Sequence, residues 1–513
     1  MIRVRNTIQN QHSAFDIEQK RAALNIINSP QRIRGLAGSG KTIILAMKAA
    51  QYHLQNPEAE ILYTYYTKAL HGQIKYLIEK YYKDFSENKS PDWSKIHILH
   101  GWGGGSLRGV YSETCNHNFV TPISFLQAKA SSLMSPFNYI FSELDKNSLK
   151  SRYDLTLIDE GQDFPASFYR VCRKITKDMR IVWAYDDFQN IFDIKIQDEK
   201  ETFGKDGDGN YYVDFGRNQN EYQDIVLKRC YRNSRIGLIT AFSLGLGIYN
   251  EKVLQRLENN KHWEDLGFLV ESGDSNVGSN MIVSRPEKNS PSKTNELFGE
   301  ETVSIDLFET LETECQFVVD KIIKDITVEE LRADDISVIG IDNKNIKNYF
   351  EYLERALNSK GIKTFNHLNT ANNNTNYSID DHVTLSTLNK AKGNESGMVY
   401  VMGVDYIFNN PNNIVYRNKL FTGITRSKGW VSLTGFTLKG SQCSEEIQKL
   451  RDKKYKLVFK QPSKDDSITI YRAAEKEENI MNEMDNLLKQ LEALGLTRDD
   501  ALAKINEYNS KKK

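Results

Sequence analysis

The chain has 513 residues, 39% hydrophobic and 27% charged, long enough for two to four domains around large buried cores. Lys+Arg and Asp+Glu both total 68, so no global charge draws it to nucleic acid or membrane, and a polyanion needs a local groove. Five scattered cysteines without a Cys-x-x-Cys pair argue against a zinc knuckle or a disulfide framework. With a polar N-terminus and no run of about 20 apolar residues, they lead us to expect a cytoplasmic protein.

Apolar side chains at Ile17, Ala22, Leu24, Ile26 and Ile27 predict a helix over residues 16–28. Residues 32–36 read as a short strand, and residues 36–42 are Leu-Ala-Gly-Ser-Gly-Lys-Thr. Such a glycine-rich turn opening a helix presents bare backbone N–H groups and a helix N-terminus to phosphate oxygens. Gly38, Ser39 and Gly40 form the turn; Lys41 would reach the β- and γ-phosphates, and Thr42 would place its hydroxyl on Mg²⁺. The helix continues to Tyr52, and residues 61–64 give the next strand. Residues 71–150 mix helical pattern with loops, including a glycine-rich stretch at 101–105, and read as an insertion.

Residues 155–163, Leu-Thr-Leu-Ile-Asp-Glu-Gly-Gln-Asp, are an apolar strand ending in carboxylates. Asp159 can hold the metal shell and Glu160 can polarise an attacking water. Together with the glycine-rich turn, this supplies both halves of a nucleoside-triphosphate hydrolysis site. A further strand is predicted at 181–184. The stretch Asp206-Gly-Asp-Gly-Asn210 resembles a calcium loop, but Tyr211 and Arg217 stand where glycine and glutamate are needed; a hairpin turn fits better.

A second α/β series is predicted from about Ile225. Residues 272–300, rich in Ser, Asn, Gly and Pro, read as a surface loop. Residues 315–326 and 349–359 read as helices, and residues 336–341, 383–387, 398–403 and 430–434 as strands. Residues 370–378 form an Asn-rich loop. From Glu475 the spacing of Ile480, Met481, Met484, Leu487, Leu488 and Leu491 predicts a helix; Gly495 ends it and Thr497 caps a second. This tail reads either as a hairpin packed on the second lobe or as a partner-binding element. His97 and His100, three apart and without a third ligand, do not make a metal site.

Beyond the two hydrolysis motifs, further blocks follow in order: Gln19, Tyr65 to Leu70, Asp186 to Gln189, Cys230 to Ser234, Lys390 to Glu395, and Thr422 to Lys428. The series resembles the UvrD/Rep-like group of superfamily 1 helicases over residues 15–435. That resemblance implies two RecA-like domains with parallel sheets, a helical insertion in the first and a helical tail, with boundaries at residues 1–222, 223–460 and 461–513. It implies that Gln19 reads adenine and Tyr231 stacks on it. Arg232 and Arg426 would reach the γ-phosphate, and Gln189 would couple it to the strand-binding surface. Tyr65 and Phe192 match base-stacking positions, with ordinary packing as the alternative; Lys68, Lys392 and His100 match strand contacts, though either lysine could equally be solvated.

The chain departs from the family at Tyr185, at Asp193 and Ile194 after Phe192, and at residues 385–389, which lack a histidine. Only 18 positions separate Phe365 from Val383, so the bulky accessory insertion of larger relatives is expected to be absent. The resemblance implies an ATP- and Mg²⁺-dependent 3′-to-5′ translocase or helicase on single-stranded DNA or RNA, in DNA repair or phage defence. The alternative is an ATP-gated module that switches a partner such as a nuclease, with the tail as its docking element.

Overall fold

The computed structural model describes residues 17–25, 28–103, 108–132, 135–186, 199–215, 222–369, 377–436, 441–463 and 466–470. Gln189, Phe192, most of the Asn-rich loop and the tail helices lie outside the described residues.

Six strands make the first sheet: β1 (Gln31–Gly35), β2 (Ile61–Tyr65), β3 (Ile96–His100), β4 (Leu155–Ile158), β5 (Ile181–Tyr185) and β6 (Asp224–Leu227). Their order is β3-β2-β4-β5-β1-β6, and every pairing is parallel. β1, β2, β4 and β5 are buried along their whole length. Burial on both faces is what a parallel sheet covered by helices requires, and it explains the nearly continuous apolar runs.

Downstream come three short strands, β7 (Gln255–Leu257), β8 (Leu269–Ser272) and β9 (Asn280–Ser284). The second large sheet then takes β10 (Val303–Phe308), β11 (Ile336–Gly340), β12 (Lys363–Asn366), β13 (His382–Thr387), β14 (Ser396–Met402) and β15 (Ser427–Phe436). It runs β10-β15-β14-β11-β13-β12, again with parallel pairing throughout. β16 (Leu457–Lys460) joins β9 and β8 in a small antiparallel sheet, and β17 (Ile468–Ile470) pairs with β7. Two parallel sheets with crossover helices suit RecA-like architecture. Among the described residues, no helix is long and apolar enough to cross a membrane. All five cysteines are buried free thiols.

Three expectations need correction. The 71–150 insertion does hold helices, at His71–Phe85, Val110–His117, Phe125–Ser131 and Pro136–Asp145, but it also holds β3, the edge strand of the first sheet. Residues 224–227, expected to open the second series, pair with β1, so the boundary at 222/223 cuts β6 from its own sheet. The supposed surface loop at 272–300 contains β9, whose Met281 and Val283 are fully buried. The Asp206 turn, by contrast, is a hairpin: Asp206 N–H donates to the Asn210 carbonyl at 2.8 Å, next to a Lys205–Tyr211 bridge.

β1 also carries charge into the interior. Arg32 donates from Nε and Nη2 to Asp224 at 2.9 and 2.8 Å, and from Nη1 to Glu199 at 2.8 Å. Arg34 adds two bonds to the same Asp224 carboxylate, which β1–β6 register sets opposite Arg32. Burial pushes the Asp224 carboxyl up, but Arg32 and Arg34 outweigh it and hold it well below the ordinary carboxylate range. Because the folded value is depressed, this stabilisation is complete above about pH 4 and is lost as pH falls through the folded value. Asp224→Asn should therefore cost about 3 kcal/mol, the lower end for a broken buried pair, in urea unfolding at pH 7. It should cost much less at pH 2; an equal loss at both pH values would contradict this.

Candidate active site

The carboxyl ends of parallel strands are where open α/β sheets bind ligands. Here the end of β1 leads into residues 36–40, the end of β4 into Asp159, and the end of β5 into Asp186. Gly38 and Gly40 adopt φ of +77° and +89°, a region glycine enters without steric cost. A Cβ on Gly38 would lie 2.2 Å from Arg232 Cβ, so the loop backbone closes directly against that residue. Gly40 forms the N-cap of the helix Lys41–Gln55, whose first N–H groups and dipole face the loop. Lys41 Nζ donates to the carbonyls of Gly35 and Leu36 at 2.7 and 3.0 Å. Gln19, buried on the preceding helix Ile17–Leu24, donates to the Ser39 carbonyl at 2.7 Å. Gly38, Ser39, Gly40 and Lys41 thus sit together at one turn, with Gln19 hydrogen-bonded to it.

Asp159 and Glu160 leave β4 in opposite electrostatic settings. Asp159 accepts from Tyr63 Oη at 2.9 Å and from the Thr42 hydroxyl, which links it to the glycine-rich turn. Burial and the adjacent Glu160 carboxylate raise its pKa. For Glu160 burial acts upward too, but Lys41, Lys392, Gln162 and Arg426 together hold it below its ordinary value, hence anionic. Glu160 takes φ of +51°, a left-handed conformation costing a non-glycine residue roughly 1–3 kcal/mol. The compensation is local: Gln162 Nε2 donates to Glu160 Oε2 at 2.5 Å, while its Oε1 accepts from Asp186 N–H at 3.1 Å. Gln162 therefore ties the acid to the end of β5. The sequence alone assigns this glutamine no role, because nothing local shows where its amide points.

The segment after β6 and the residues leading into β15 of the second sheet reach this same place. Cys230 Sγ donates to the Ala37 carbonyl at 3.0 Å, and Tyr231 N–H to Gly38 carbonyl at 2.9 Å, so the Tyr231–Arg232 segment lies along the loop. Asn233 Nδ2 donates to the carbonyls of Thr425 and Ser427 at 3.0 and 2.8 Å, bracketing Arg426. Arg426 is buried, with Nε on the Thr422 carbonyl at 3.1 Å and Nη1 on that of Asn394 at 3.4 Å. Burial pushes its pKa down to about 10, with Arg232 adding to that and Glu160, Glu395 and Asp186 opposing it. It is still a cation at neutral pH, in the field of Glu160. Arg232 pairs with Glu395, which also binds Lys428 at 2.9 Å.

The expected strand contacts are placed less uniformly. Tyr65 is fully buried, its hydroxyl 2.8 Å from His71 Nδ1 and its ring packed against His71 and His100. It presents no face to a base; the partly exposed ring at this turn is Tyr66. Lys392 is buried in an ion pair with Asp163 of the first sheet, so it joins the two sheets rather than facing solvent. Lys68 is exposed at the end of β2, where a backbone contact is open to it. His100 accepts from the N–H groups of Trp102 and Gly103 at 3.2 Å each, and burial lowers its pKa to about 4, so it is neutral at pH 7.

Comparison with known proteins locates one stretch. Residues 382–434 match the family of the UvrD-like helicase C-terminal domain, spanning β13, β14, the Lys390–Glu395 block and the Arg426 helix end. A solved structure, the C-terminal domain of a possible DNA helicase from Lactobacillus plantarum WCFS1, is 18% identical, with a TM-score of 0.21. That similarity covers 28% of this chain and 81% of the other. No curated protein matches the chain.

Proposed function

We propose that this chain, UvrD/Rep-like and carrying a helicase-type C-terminal segment at residues 382–434, hydrolyses ATP and couples turnover to 3′-to-5′ movement along single-stranded DNA. The observation that carries the reading is geometric: Tyr231 N–H bonds the Gly38 carbonyl, Asn233 two residues on holds the carbonyls on either side of Arg426, and Lys392 pairs with Asp163. A site built from both sheets can tighten around a triphosphate and relax once the terminal phosphoryl group is gone. Alternation of that kind is how a hydrolysis cycle becomes a step.

The donor chemistry fits the ligands. The Thr42 hydroxyl and Asp159 carboxylate are adjacent hard oxygens of the type Mg²⁺ selects, and the metal would neutralise charge on the phosphates. The side-chain-free backbone at Gly38 and Gly40 leaves N–H groups bare toward phosphate oxygens. Lys41 exchanges its carbonyl partners for the β/γ-phosphates, Gln19 and Tyr231 take the adenine, and Glu160 orients the attacking water. Arg232 and Arg426 spread the charge of the transferring group, and Gln189 senses it. Lys68, Phe192 and His100 belong to the strand path, with the partly exposed Tyr66 replacing the buried Tyr65 as its aromatic.

The short connection between β12 and β13 favours a translocase over a processive unwinding monomer. ATP hydrolysis measured with no nucleic acid, single-stranded DNA, duplex DNA and RNA tests this. At least tenfold stimulation, strongest with single-stranded DNA, is expected. A rate unmoved by every nucleic acid would favour an ATP-gated switch acting on a protein partner.

A further inference from the structure

Arg285 follows β9 directly, far in sequence from every hydrolysis motif, and is fully buried. Among the described residues no carboxylate pairs with it; its guanidinium lies over the Phe268 ring at 5.2 Å. A buried guanidinium without a counter-ion is costly, so its retention has to be explained by what its five N–H donors hold. They hold backbone. Nη1 donates to the Leu266 carbonyl at 2.7 Å, Nη2 to those of Asn289 and Lys228 at 2.6 and 3.3 Å, and Nε to Ser290 Oγ at 2.6 Å.

Those acceptors converge on one segment. Lys228 begins it; Cys230 N–H donates to the Asn289 carbonyl at 2.9 Å; and Arg235 Nε closes it on the carbonyl of Arg285 itself at 2.7 Å. The turn at Gly267 approaches so closely that a Cβ there would sit 2.2 Å from the Lys228 carbonyl oxygen, and its φ is +82°. Gly267 is itself fixed by Asn289 Nδ2, which donates to its carbonyl at 2.8 Å. On its other side the same segment donates to Ala37 and Gly38 of the phosphate loop. Tyr231 and Arg232 are thus gripped between the loop and a platform centred on one arginine.

We propose that Arg285 is a positioning residue that sets Tyr231 and Arg232 against the phosphate loop. The inference rests on the reading of Arg232 as a nucleotide-contacting arginine. Arg285→Lys keeps the cation but cannot serve four acceptors with the planar fork. Small displacements of a positioned group can cost up to about 10² in rate, so we expect kcat/KM for ATP to fall about tenfold. Arg232→Ala alone must also lower kcat/KM, and Arg285→Lys added to it should change little more, under about twofold, as for residues acting through one another.

An equal factor for Arg285→Lys in both backgrounds would overturn the positioning role. Native hydrolysis by Arg232→Ala would instead overturn the reading of Arg232, a different failure. Thermal unfolding checks that each variant is folded. Should Arg285→Lys not fold, the half-buried Asn289→Ala, which releases Gly267 from the same platform, enters the same cycle with the same expectation.

Discussion

Glu160→Gln should bind ATP about as tightly as the native chain and hydrolyse it about 10²–10⁴-fold more slowly, the range a positioned general base contributes. The substitution is nearly isosteric, and a Gln carbonyl can still accept from Gln162 Nε2, so the left-handed turn at 160 keeps its brace. What disappears is the negative charge. In the native chain that charge is sustained against burial by Lys41, Lys392, Gln162 and Arg426, and an anion is what can take a proton from water. Equilibrium titration with a fluorescent nucleotide, alongside steady-state phosphate release, separates the two effects. Normal turnover would remove Glu160 from the base role; loss of binding would mean that it shapes the pocket instead.

Arg426→Ala should lower turnover by about 10³ or more, following the 10³–10⁵ that arginine fingers contribute to phosphoryl transfer. The guanidinium is buried and still cationic, and Glu160 is among the charges acting on it. Some destabilisation is expected as well, since Arg426 also supports the Thr422 and Asn394 carbonyls. Arg426→Lys distinguishes the two effects: an ammonium can hold a carbonyl but cannot reproduce the planar fork, so stability should recover more than rate. Hydrolysis near the native rate in either variant would take Arg426 out of the reaction.

How much of this was readable in the chain depends on how local each signal is. The phosphate loop and the Asp159–Glu160 strand end are short motifs whose backbone consequences follow from a few residues, and the structure brings them together through Thr42 and Tyr63. The placement of Arg232 against that loop is non-local and is implied only by the family resemblance, as is a role for Arg426 beside it. Tyr65 shows the limit of reading a stacking role from a motif. In the run Tyr63-Thr-Tyr-Tyr66, Tyr63 and Tyr65 lie within β2, which is buried on both faces, whereas Tyr66 follows its end and stays partly exposed.

β3 was missed because His97 and His100 interrupt its apolar run, although His97 is buried in a bond with Glu60. Arg32 and Arg34 hid the depth of β1 in the same way, since a hydropathy reading cannot see that Asp224 waits on the neighbouring strand. Polar composition also disguised β9 and the buried Arg285 as surface loop, although the acceptors of that arginine are backbone carbonyls and one serine hydroxyl.

The central claim is that one nucleotide is gripped from two sheets at once. Its most direct test is a structure with a non-hydrolysable ATP analogue and Mg²⁺. The account predicts Lys41 Nζ and the guanidinium groups of Arg232 and Arg426 within hydrogen-bond reach, about 2.7–3.2 Å, of the same terminal phosphate. A triphosphate held by Lys41 with both arginines still turned toward protein partners would contradict it.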